Sequence, residues 1–164
     1  MEYCRIYRSP LGVLTLTASE EGLTGAYLRQ PSDRERSLPG GCRHLEEAAL
    51  WLDRYFEGRA PDPSGLTLMP EGSDFQTLIW SLLRAIPYGQ TRTYGALARE
   101  AASIMGREHM SAQAVGGAVG RNPISIIVPC HRVTAAGGKL GGFAWGEDAK
   151  KWLLRHEGGS YDDQ

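Results

Sequence analysis

A single stretch combines three residue types that can do chemistry, because Cys130, His131 and Arg132 follow directly on Pro129. The apolar run at 126–128 predicts a short buried strand. Pro129 must end that strand, since proline cannot donate to a sheet ladder. A thiol beside a histidine and an arginine has an electropositive setting that favours the thiolate. An ordinary thiol, with a pKa of about 8.5, is mostly protonated at neutral pH, so the stretch predicts an activated cysteine nucleophile.

The same stretch also has a purely structural interpretation, because most free cysteines are buried core residues. An adjacent histidine does not decide the matter, since neighbours in sequence need not meet in space. Cys4 and Cys42 are the other cysteines, and three thiols cannot all pair within one chain. The sequence has no signal-peptide segment and no apolar run long enough to span a membrane. We therefore expect a cytoplasmic protein with reduced thiols.

The first half of the chain predicts an α+β domain over residues 1–70. Short strands separated by turn residues are predicted at 3–8, 13–18 and 23–28. The apolar spacing over 45–56 predicts an amphipathic helix that Gly58 closes. Residues 30–42 are polar and contain prolines and glycines, which predicts a loop.

The proline- and glycine-rich segment 59–72 marks the expected domain boundary. Residues 73–158 are then a second, mostly helical domain, and 159–164 a flexible tail. The 164-residue chain has a net charge of −1, which gives no indication of nucleic acid. Arginines outnumber acidic residues within 86–132. This modest basic bias is compatible with a surface that faces phosphates, and it is equally compatible with chance.

Three helices are predicted in the second domain from their N-terminal caps. Ser73 and Gln76 form a capping-box pattern ahead of a regular apolar stripe that reaches Ile86. Thr93 caps a second helix that runs to about Ala101, and Ser111 caps a third that runs to about Gly120. Two short capped helices joined by a loop suggest a helix-turn-helix variant.

The third of these helices has an unusual glycine-containing face. Its apolar side carries Val115, Ala118 and Val119. The opposite face is made of Gln113, Gly116, Gly117 and Gly120. Each glycine inside a helix costs about 1 kcal/mol relative to alanine, so a compensating role is expected. That role is either tight packing against another helix or close approach to a ligand such as a nucleic-acid groove.

The last predicted helix runs through Ala149 and Trp152 to His156, and Gly158 stops it. Glu157 lies at its C-terminal end, where a carboxylate opposes the helix dipole. A cationic partner such as His131 would explain this placement, although an exposed, slightly unfavourable charge is an equally simple explanation.

Residues 73–158 resemble one family, the O6-alkylguanine-DNA alkyltransferases (methylated-DNA–protein-cysteine methyltransferases). The resemblance is carried by Phe75-Gln76 with Trp80, Ile86-Pro87-Tyr88-Gly89, Thr93-Tyr94, Ala114-Val115-Gly116-Gly117-Ala118, Arg121-Asn122-Pro123, Pro129-Cys130-His131-Arg132 and Leu153-Leu154-Arg155-His156-Glu157-Gly158. The spacing from the paired glycines through Asn-Pro to Pro-Cys-His-Arg is highly specific. Ser9-Pro10-Leu11-Gly12 and Glu21-Gly22-Leu23 resemble the family's smaller domain more loosely.

The resemblance implies a single-turnover DNA repair enzyme that needs no cofactor and no metal. Cys130 would attack the alkyl carbon of an O6-alkylguanine flipped out of the duplex and keep the alkyl group. O4-alkylthymine is a further candidate lesion. Glu157 would orient His131, which takes the Cys130 proton through a water. Tyr94 would turn the 3′ phosphate and donate to the departing guanine, and Asn122 would hold the active-site turn.

The resemblance also implies how double-stranded DNA is bound, with the third helix in the minor groove of a duplex that contains alkylated guanine. The implied DNA contacts come from Thr93, Tyr94, Gln113, Ala114, Gly116, Gly117, Arg121 and Arg132. The implied substrate pocket is lined by Val128, Pro129, Phe143, Ala144 and Trp145. We expect the protein to work as a monomer.

Three positions depart from the family pattern. Gln113 stands where many members have an arginine that fills the space left by the flipped base. Ala144 stands where serine is frequent, and Trp145 where some members have glycine. Some members hold a structural zinc in the N-terminal domain, but Cys4, Cys42 and His44 lack a fourth ligand, so no zinc is expected.

Two other functions compete with this one. Alkyltransferase-like proteins bind lesions without repairing them and lack the nucleophilic cysteine, whereas Cys130 is present. A cysteine hydrolase or redox enzyme would need a turnover step, and no second cysteine lies near Cys130 in sequence. Methylated DNA distinguishes the three, because repair adds one methyl group to the protein, binding adds none, and hydrolysis turns over.

Overall fold

The computed structural model describes residues 1–158 and confirms a mixed α+β fold. Its strands are β1 Glu2–Ser9, β2 Gly12–Ser19, β3 Leu23–Leu28, β4 Arg92–Thr93 and β5 Val133–Thr134. Its α-helices are α1 Asp33–Arg36, α2 Arg43–Phe56, α3 Asp74–Arg84, α4 Tyr94–Ile104, α5 Ala112–Gly120 and α6 Glu147–His156. The chain divides into two compact units, the first made of residues 1–71 and 123–127, the second of 72–122 and the described residues from 128 onward.

The first unit is built on an antiparallel meander of β1, β2 and β3. In β2 the side chains of Leu14, Leu16 and Ala18 are buried, and Thr15 between them is buried as well. Helix α2 buries the apolar stripe that its spacing predicted, from Leu45 to Tyr55, and Gly58 follows with a positive φ of 80°. The three predicted strands and this helix are therefore confirmed, with strand ends shifted by a residue.

The prediction that 30–42 is only loop was wrong, because α1 lies within it. Ser32 accepts a hydrogen bond from the Glu35 amide, and the Glu35 side chain accepts one from the Ser32 amide, which is a complete capping box. A helix of four residues is too short to show an apolar period. The capping-box spacing was the available signal, and the surrounding prolines and glycines obscured it.

The second unit contains the three helices whose caps were predicted. Ser73, Thr93 and Ser111 each accept a backbone N–H at the start of α3, α4 and α5. Helix α4 continues beyond Ala101 to Ile104, and α6 ends at His156 as expected. The segment 159–164, expected to be a flexible tail, lies outside the described residues.

Residues 123–127, expected within the C-terminal domain, group with the first unit instead. The Ala26 amide donates to the Pro123 carbonyl at 2.8 Å, and the Ser125 amide donates to the Ala26 carbonyl at 3.4 Å. A strand edge thus captures this segment just before it reaches the cysteine-containing stretch. Across residues 1–158, no helix combines the length and apolar character that crossing a membrane requires.

Candidate active site

Cys130, His131 and Arg132 form one turn of 3-10 helix, and β5 follows immediately. The expected strand at 126–128 was wrong. Ile126 has a positive φ of 72°, which breaks an extended run. The Cys130 amide instead donates to the Val128 carbonyl at 2.8 Å, a local turn contact. The thiol therefore lies at the start of a tight turn, where Cys130 is only 4% exposed.

His131 is fully buried and pairs with the carboxylate of Glu157, which caps the C-terminus of α6. The distance from Nε2 of His131 to Oε2 of Glu157 is 2.6 Å. The Gly89 amide also donates to Oε1 of Glu157 at 3.2 Å. Glu157 thus has a cationic or donor partner on each oxygen, which explains a carboxylate at this helix end.

Arg132, which was predicted to contact DNA, lies in the interior of the second unit. It is 8% exposed, and its Nε and Nη2 donate to Glu157 at 2.8 and 3.1 Å. Its Nη1 donates to the Ile86 carbonyl at 2.7 Å. A guanidinium is suited to this bidentate contact because its donors lie in one plane. Arg132 therefore fixes Glu157 to the end of α3.

The protonation states follow from these contacts. Burial alone would raise the pKa of Glu157, but the hydrogen bond from His131 and the hydrogen bonds and charge of Arg132 outweigh it and hold that pKa well below its usual range. Burial lowers the pKa of His131, and Arg132 adds to this effect, while Glu157 opposes it. We therefore assign an ionised Glu157 and a neutral His131. An ionised carboxylate can only accept, so the proton of His131 is on Nε2.

The other ring nitrogen of His131 is then a bare lone pair. Its Nδ1 is buried and has no hydrogen-bond partner among the described residues. A buried nitrogen without a partner is costly, and such atoms are often found at reactive sites. The site can therefore accept a proton at Nδ1 while Glu157 stabilises the imidazolium that results.

Asn122 supports the turn from the other side. It is buried, and its Nδ2 donates to the Val128 carbonyl at 2.8 Å. Val128 and Pro129, two of the residues expected to line the pocket, are buried next to the cysteine. Asn122 thus ties the end of α5 to the backbone just before the turn.

The two shortest strands align Tyr94 with the cysteine turn. β4 ends directly before Tyr94, β5 begins directly after Arg132, and the two pair in parallel through Arg92–Val133 and Thr93–Thr134. The Tyr94 hydroxyl donates to the Gly142 carbonyl at 3.3 Å. Burial and the nearby negative charge of Cys130 raise the pKa of Tyr94, so it remains a proton donor at neutral pH.

Helix α5 presents the glycine face to open space in the described part of the chain. A Cβ on Gly117 or Gly120 would meet no atom within 4 Å, and one on Gly116 would meet the Tyr94 ring at 3.8 Å. Packing against another helix therefore does not account for Gly117 and Gly120. Gln113, Ala114 and Arg121 are exposed on the same helix or at its end. The opposite side is anchored by Trp80, whose indole N–H donates to the Ala118 carbonyl at 2.9 Å.

The loop between β5 and α6 carries the remaining expected pocket residues. Phe143 and Trp145 are half-buried, with ring centroids 6.0 Å apart, and Ala144 is exposed. The Gly146 amide donates to the Phe143 carbonyl at 3.0 Å, which folds this part of the loop into a turn.

Lys150 is a buried residue of this unit that sequence patterns did not identify. It lies on α6 with its ammonium directed at backbone carbonyls of Val133 and Gly142. Lysine in a surface-type helix is normally exposed, so no sequence signal marked it. No group of three or more His, Cys, Asp or Glu residues within 1–158 is arranged to hold a metal ion.

Comparison with known proteins identifies similar chains over the whole length. Residues 74–159 match the model of the 6-O-methylguanine DNA methyltransferase, DNA binding domain, and residues 2–70 match that of its ribonuclease-like domain. The methylated-DNA–protein-cysteine methyltransferase of Methanosarcina acetivorans is 42% identical over 161 residues, covering 95% of this chain and 98% of the relative. That of Haemophilus influenzae is 37% identical over 169 residues, covering 99% and 89%.

Solved structures with the same fold come from Mycobacterium tuberculosis. Its O6-methylguanine methyltransferase superimposes with a TM-score of 0.81 at 36% identity, covering 100% of this chain and 97% of that one. A second structure, of the M. tuberculosis protein OGT in complex with DNA, gives a TM-score of 0.81 at 37% identity, covering 94% and 92%.

Proposed function

This chain belongs to the 6-O-methylguanine DNA methyltransferase family, which repairs DNA by alkyl transfer to a cysteine, and from that premise we propose that the acceptor is Cys130. One observation carries this proposal. Cys130, His131 and Glu157 are all buried, His131 is the residue next to Cys130 in the same turn, and its Nδ1 has no hydrogen-bond partner within residues 1–158 while its Nε2 is bonded to Glu157. The alkyl donor is O6-alkylguanine in double-stranded DNA. The reaction runs once, because a thioether has no route back to a thiol here.

The chemical step is a displacement at the alkyl carbon. The Cys130 thiol passes its proton, through a bridging water, to Nδ1 of His131, and Glu157 stabilises the imidazolium. The Sγ–carbon bond forms as the bond from that carbon to guanine O6 breaks. The electron pair of the broken bond stays on guanine, and the Tyr94 hydroxyl donates a proton to this departing base. An alkyl ether is a poor electrophile, so both the base and the proton donor are needed.

Arg132 and Asn122 act by holding this apparatus. Arg132 supplies Glu157 with a positive partner, so the carboxylate stays ionised and keeps the His131 proton on Nε2. Asn122 fixes the Val128 carbonyl and so the backbone that leads into Cys130. Neither residue needs to touch the alkyl group.

DNA is the partner of this family, and we place the open face of α5 in the minor groove. The exposed glycines let backbone approach the duplex closely, and Thr93, Gln113, Ala114 and Arg121 border that face. The alkylated base must leave the stack, because its O6 substituent is inaccessible inside a duplex. Tyr94 lies beside Gly116, where it can reach the backbone of the extruded nucleotide.

The pocket for the extruded base is bordered by Val128, Pro129 and the loop residues Phe143, Ala144 and Trp145. A monomer suffices for this mechanism, because each proposed group comes from one chain.

The test is to incubate the protein with a duplex that contains O6-methylguanine and to weigh the intact protein. We expect a gain of one methyl group, located on Cys130 by peptide mapping. Cys130→Ser should abolish the gain and retain DNA binding, because serine is nearly isosteric but far less nucleophilic. Cys42→Ser is the matched control and should react like wild type. Methyl on Cys4 or Cys42 would contradict the assignment, and binding without any mass gain would favour a lesion-binding protein.

A further inference from the structure

Lys150 is the buried charge that the mechanism so far leaves unused. The residue is 0% exposed, although it lies on a helix that also carries exposed charges. Its Nζ donates to the Val133 carbonyl at 2.6 Å and to the Gly142 carbonyl at 2.9 Å. Burying an ammonium is costly unless its donors are satisfied. Two of its three donors are thus used, one on the backbone just before the loop 135–146 and one on backbone within that loop.

The Gly142 carbonyl connects Lys150 with Tyr94. The same oxygen accepts the Tyr94 hydroxyl at 3.3 Å, and the Lys150 ammonium lies 6.0 Å from the centroid of the Tyr94 ring. Gly141 has a φ of 74° and lies close to the same ring, because a Cβ at this position would be only 3.2 Å from it. Lys150, Tyr94 and the backbone at 141–142 therefore form one cluster.

The loop over the pocket needs such an anchor. Residues 135–146 contain glycines at 137, 138, 141, 142 and 146, and glycine backbone loses the most freedom when it is ordered. The Ala135 amide donates to the Lys139 carbonyl at 2.9 Å, which closes only the first part of the loop. Lys150 reaches across to the part that carries Phe143 and Trp145.

We propose that Lys150 is a positioning residue for alkyl transfer, whose ammonium holds the Gly142 carbonyl and through it both the Tyr94 hydroxyl and the pocket loop 141–146. The significance of Tyr94 here rests on the proposed function, whereas the geometry of the cluster does not. When the alkylated base enters, the Tyr94 hydroxyl exchanges the Gly142 carbonyl for the substrate. Lys150 then keeps the loop in place, because it still holds the same oxygen.

The charge of Lys150 acts in the same direction as its hydrogen bonds. It lies close enough to Cys130 and His131 to interact with both, favouring a thiolate at the first and a neutral ring at the second. The titratable neighbours of Lys150 are Tyr94 on α4 and the two residues Cys130 and His131 of the 3-10 turn. A neutral side chain of the same length would lose both effects.

The first test is Lys150→Met, which keeps the length and apolar stem of the side chain and removes the ammonium. Lys151→Met is the matched control, since Lys151 is the next residue of the same helix and pairs with Glu147 at 3.3 Å. We expect Lys150→Met to slow the transfer step about tenfold or more, measured by mass with protein in excess. The dissociation constant for undamaged duplex should stay unchanged, and Lys151→Met should alter neither quantity. Transfer by Lys150→Met at the wild-type rate would overturn the proposal.

A double-mutant cycle with Tyr94→Phe tests whether Lys150 acts through Tyr94. If it does, the double variant should be scarcely slower than the slower single variant, because both changes remove the same arrangement. Losses that multiply would mean that Lys150 acts independently of Tyr94 and would overturn this part of the proposal.

Hydrogen exchange gives a measure that does not depend on the chemistry. The Ala135 and Gly146 amides are bonded within the loop, and we expect both to exchange faster in Lys150→Met than in Lys151→Met. Unchanged exchange would refute the anchor even if transfer slowed. If wild type gains no alkyl group on Cys130, the proposed function fails while this measurement still decides the role of Lys150. If Lys150→Met does not fold, the same exchange experiment with Lys150→Gln decides whether Lys150 anchors the loop.

Discussion

Nε2 of His131 lies 2.6 Å from Oε2 of Glu157, and that carboxylate is shared with Arg132. Because Arg132 keeps Glu157 ionised, the His131 proton stays on Nε2 and Nδ1 is left unprotonated. In the proposed mechanism, this one buried carboxylate therefore determines which nitrogen of the histidine takes the thiol proton.

His131→Ala should slow alkyl transfer about 100-fold or more, since a positioned general base contributes on that order. Binding to undamaged duplex should be unchanged, because His131 is fully buried and cannot touch DNA. The mechanistic check is the pH dependence of Cys130 alkylation by iodoacetamide in a Cys4→Ser, Cys42→Ser background. We expect this dependence to move to higher pH in the variant. Superimposable pH curves would remove His131 from the proton path.

Glu157→Gln should destabilise the protein by about 3–5 kcal/mol, because it leaves the Arg132 charge buried without its counter-ion. The pKa of Glu157 is lowered on folding, so its contribution to stability is complete above the unfolded pKa of about 4.3 and is lost as pH falls below that value. Urea unfolding between pH 3 and 6 should show this acid-dependent loss in wild type and not in the variant. Glu47→Gln, which breaks an exposed pair with Arg43, is the control. Equal acid slopes in wild type and Glu157→Gln would contradict the assignment.

Lys150 predicts a linkage of the same sign at alkaline pH, because its pKa is also lowered on folding. Burial lowers its pKa from 10.5 to about 8, so between these values the unfolded chain retains a proton that the folded chain has released. The free energy of unfolding contributed by this residue therefore rises with pH across that window, by about 3 kcal/mol in total. The measurement is the difference in unfolding free energy between wild type and Lys150→Met from pH 7 to 10.5. Taking the difference removes the contribution of Tyr7, whose pKa is raised. A difference that stays flat over this range would exclude the shift.

Trp145 should restrict the size of the alkyl group that the protein accepts. Its ring is half-buried against Phe143 in the loop that borders the proposed pocket, at a position where a glycine would leave space. We expect wild type to react slowly with O6-benzylguanine, and Trp145→Gly to react faster with it. Trp145→Phe should be intermediate, and the methyl substrate should react at similar rates in all three. Equal wild-type rates with methyl and benzyl groups would show that the indole does not narrow the pocket.

Gln113 should limit how readily the duplex is opened. It is exposed on α5, and it can fill the vacated space and hydrogen-bond, but it brings no charge. Extruding a base costs a few kcal/mol, and an arginine would add a planar cation and a phosphate contact. Gln113→Arg should therefore tighten binding to duplex DNA and speed repair there, most clearly at low salt. Its reaction with the free alkylated base should scarcely change.

The control for Gln113 is Gln90→Arg, which adds the same charge at another exposed position. If Gln90→Arg accelerates duplex repair as much as Gln113→Arg, the effect is general electrostatics. A gain that is equal on duplex and on free base would likewise exclude a role in base extrusion.

Much of the secondary structure was predictable from sequence because its signals are local. The caps at Ser73, Thr93 and Ser111 each place a side-chain oxygen within three residues of the amides it accepts, so neighbouring residues suffice to locate them. The glycine face of α5 was likewise visible, since helical spacing determines which residues share a face. The pairing of His131 with Glu157 came from a charge at an unfavourable helix end together with the family motifs.

The tertiary structure decided the features that depend on contacts between distant residues. The strand expected at 126–128 is absent because β3 captures residues 123–125 and Ile126 takes a positive φ. Arginine is a residue type typical of DNA contacts, and Arg132 was predicted to make one. In the structure its guanidinium instead donates to the Ile86 carbonyl and to both carboxylate oxygens of Glu157. No sequence pattern singled out Lys150, and most lysines are exposed. It is buried because folding brings the carbonyls of Val133 and Gly142 to its ammonium, and no local pattern specifies carbonyls so far along the chain.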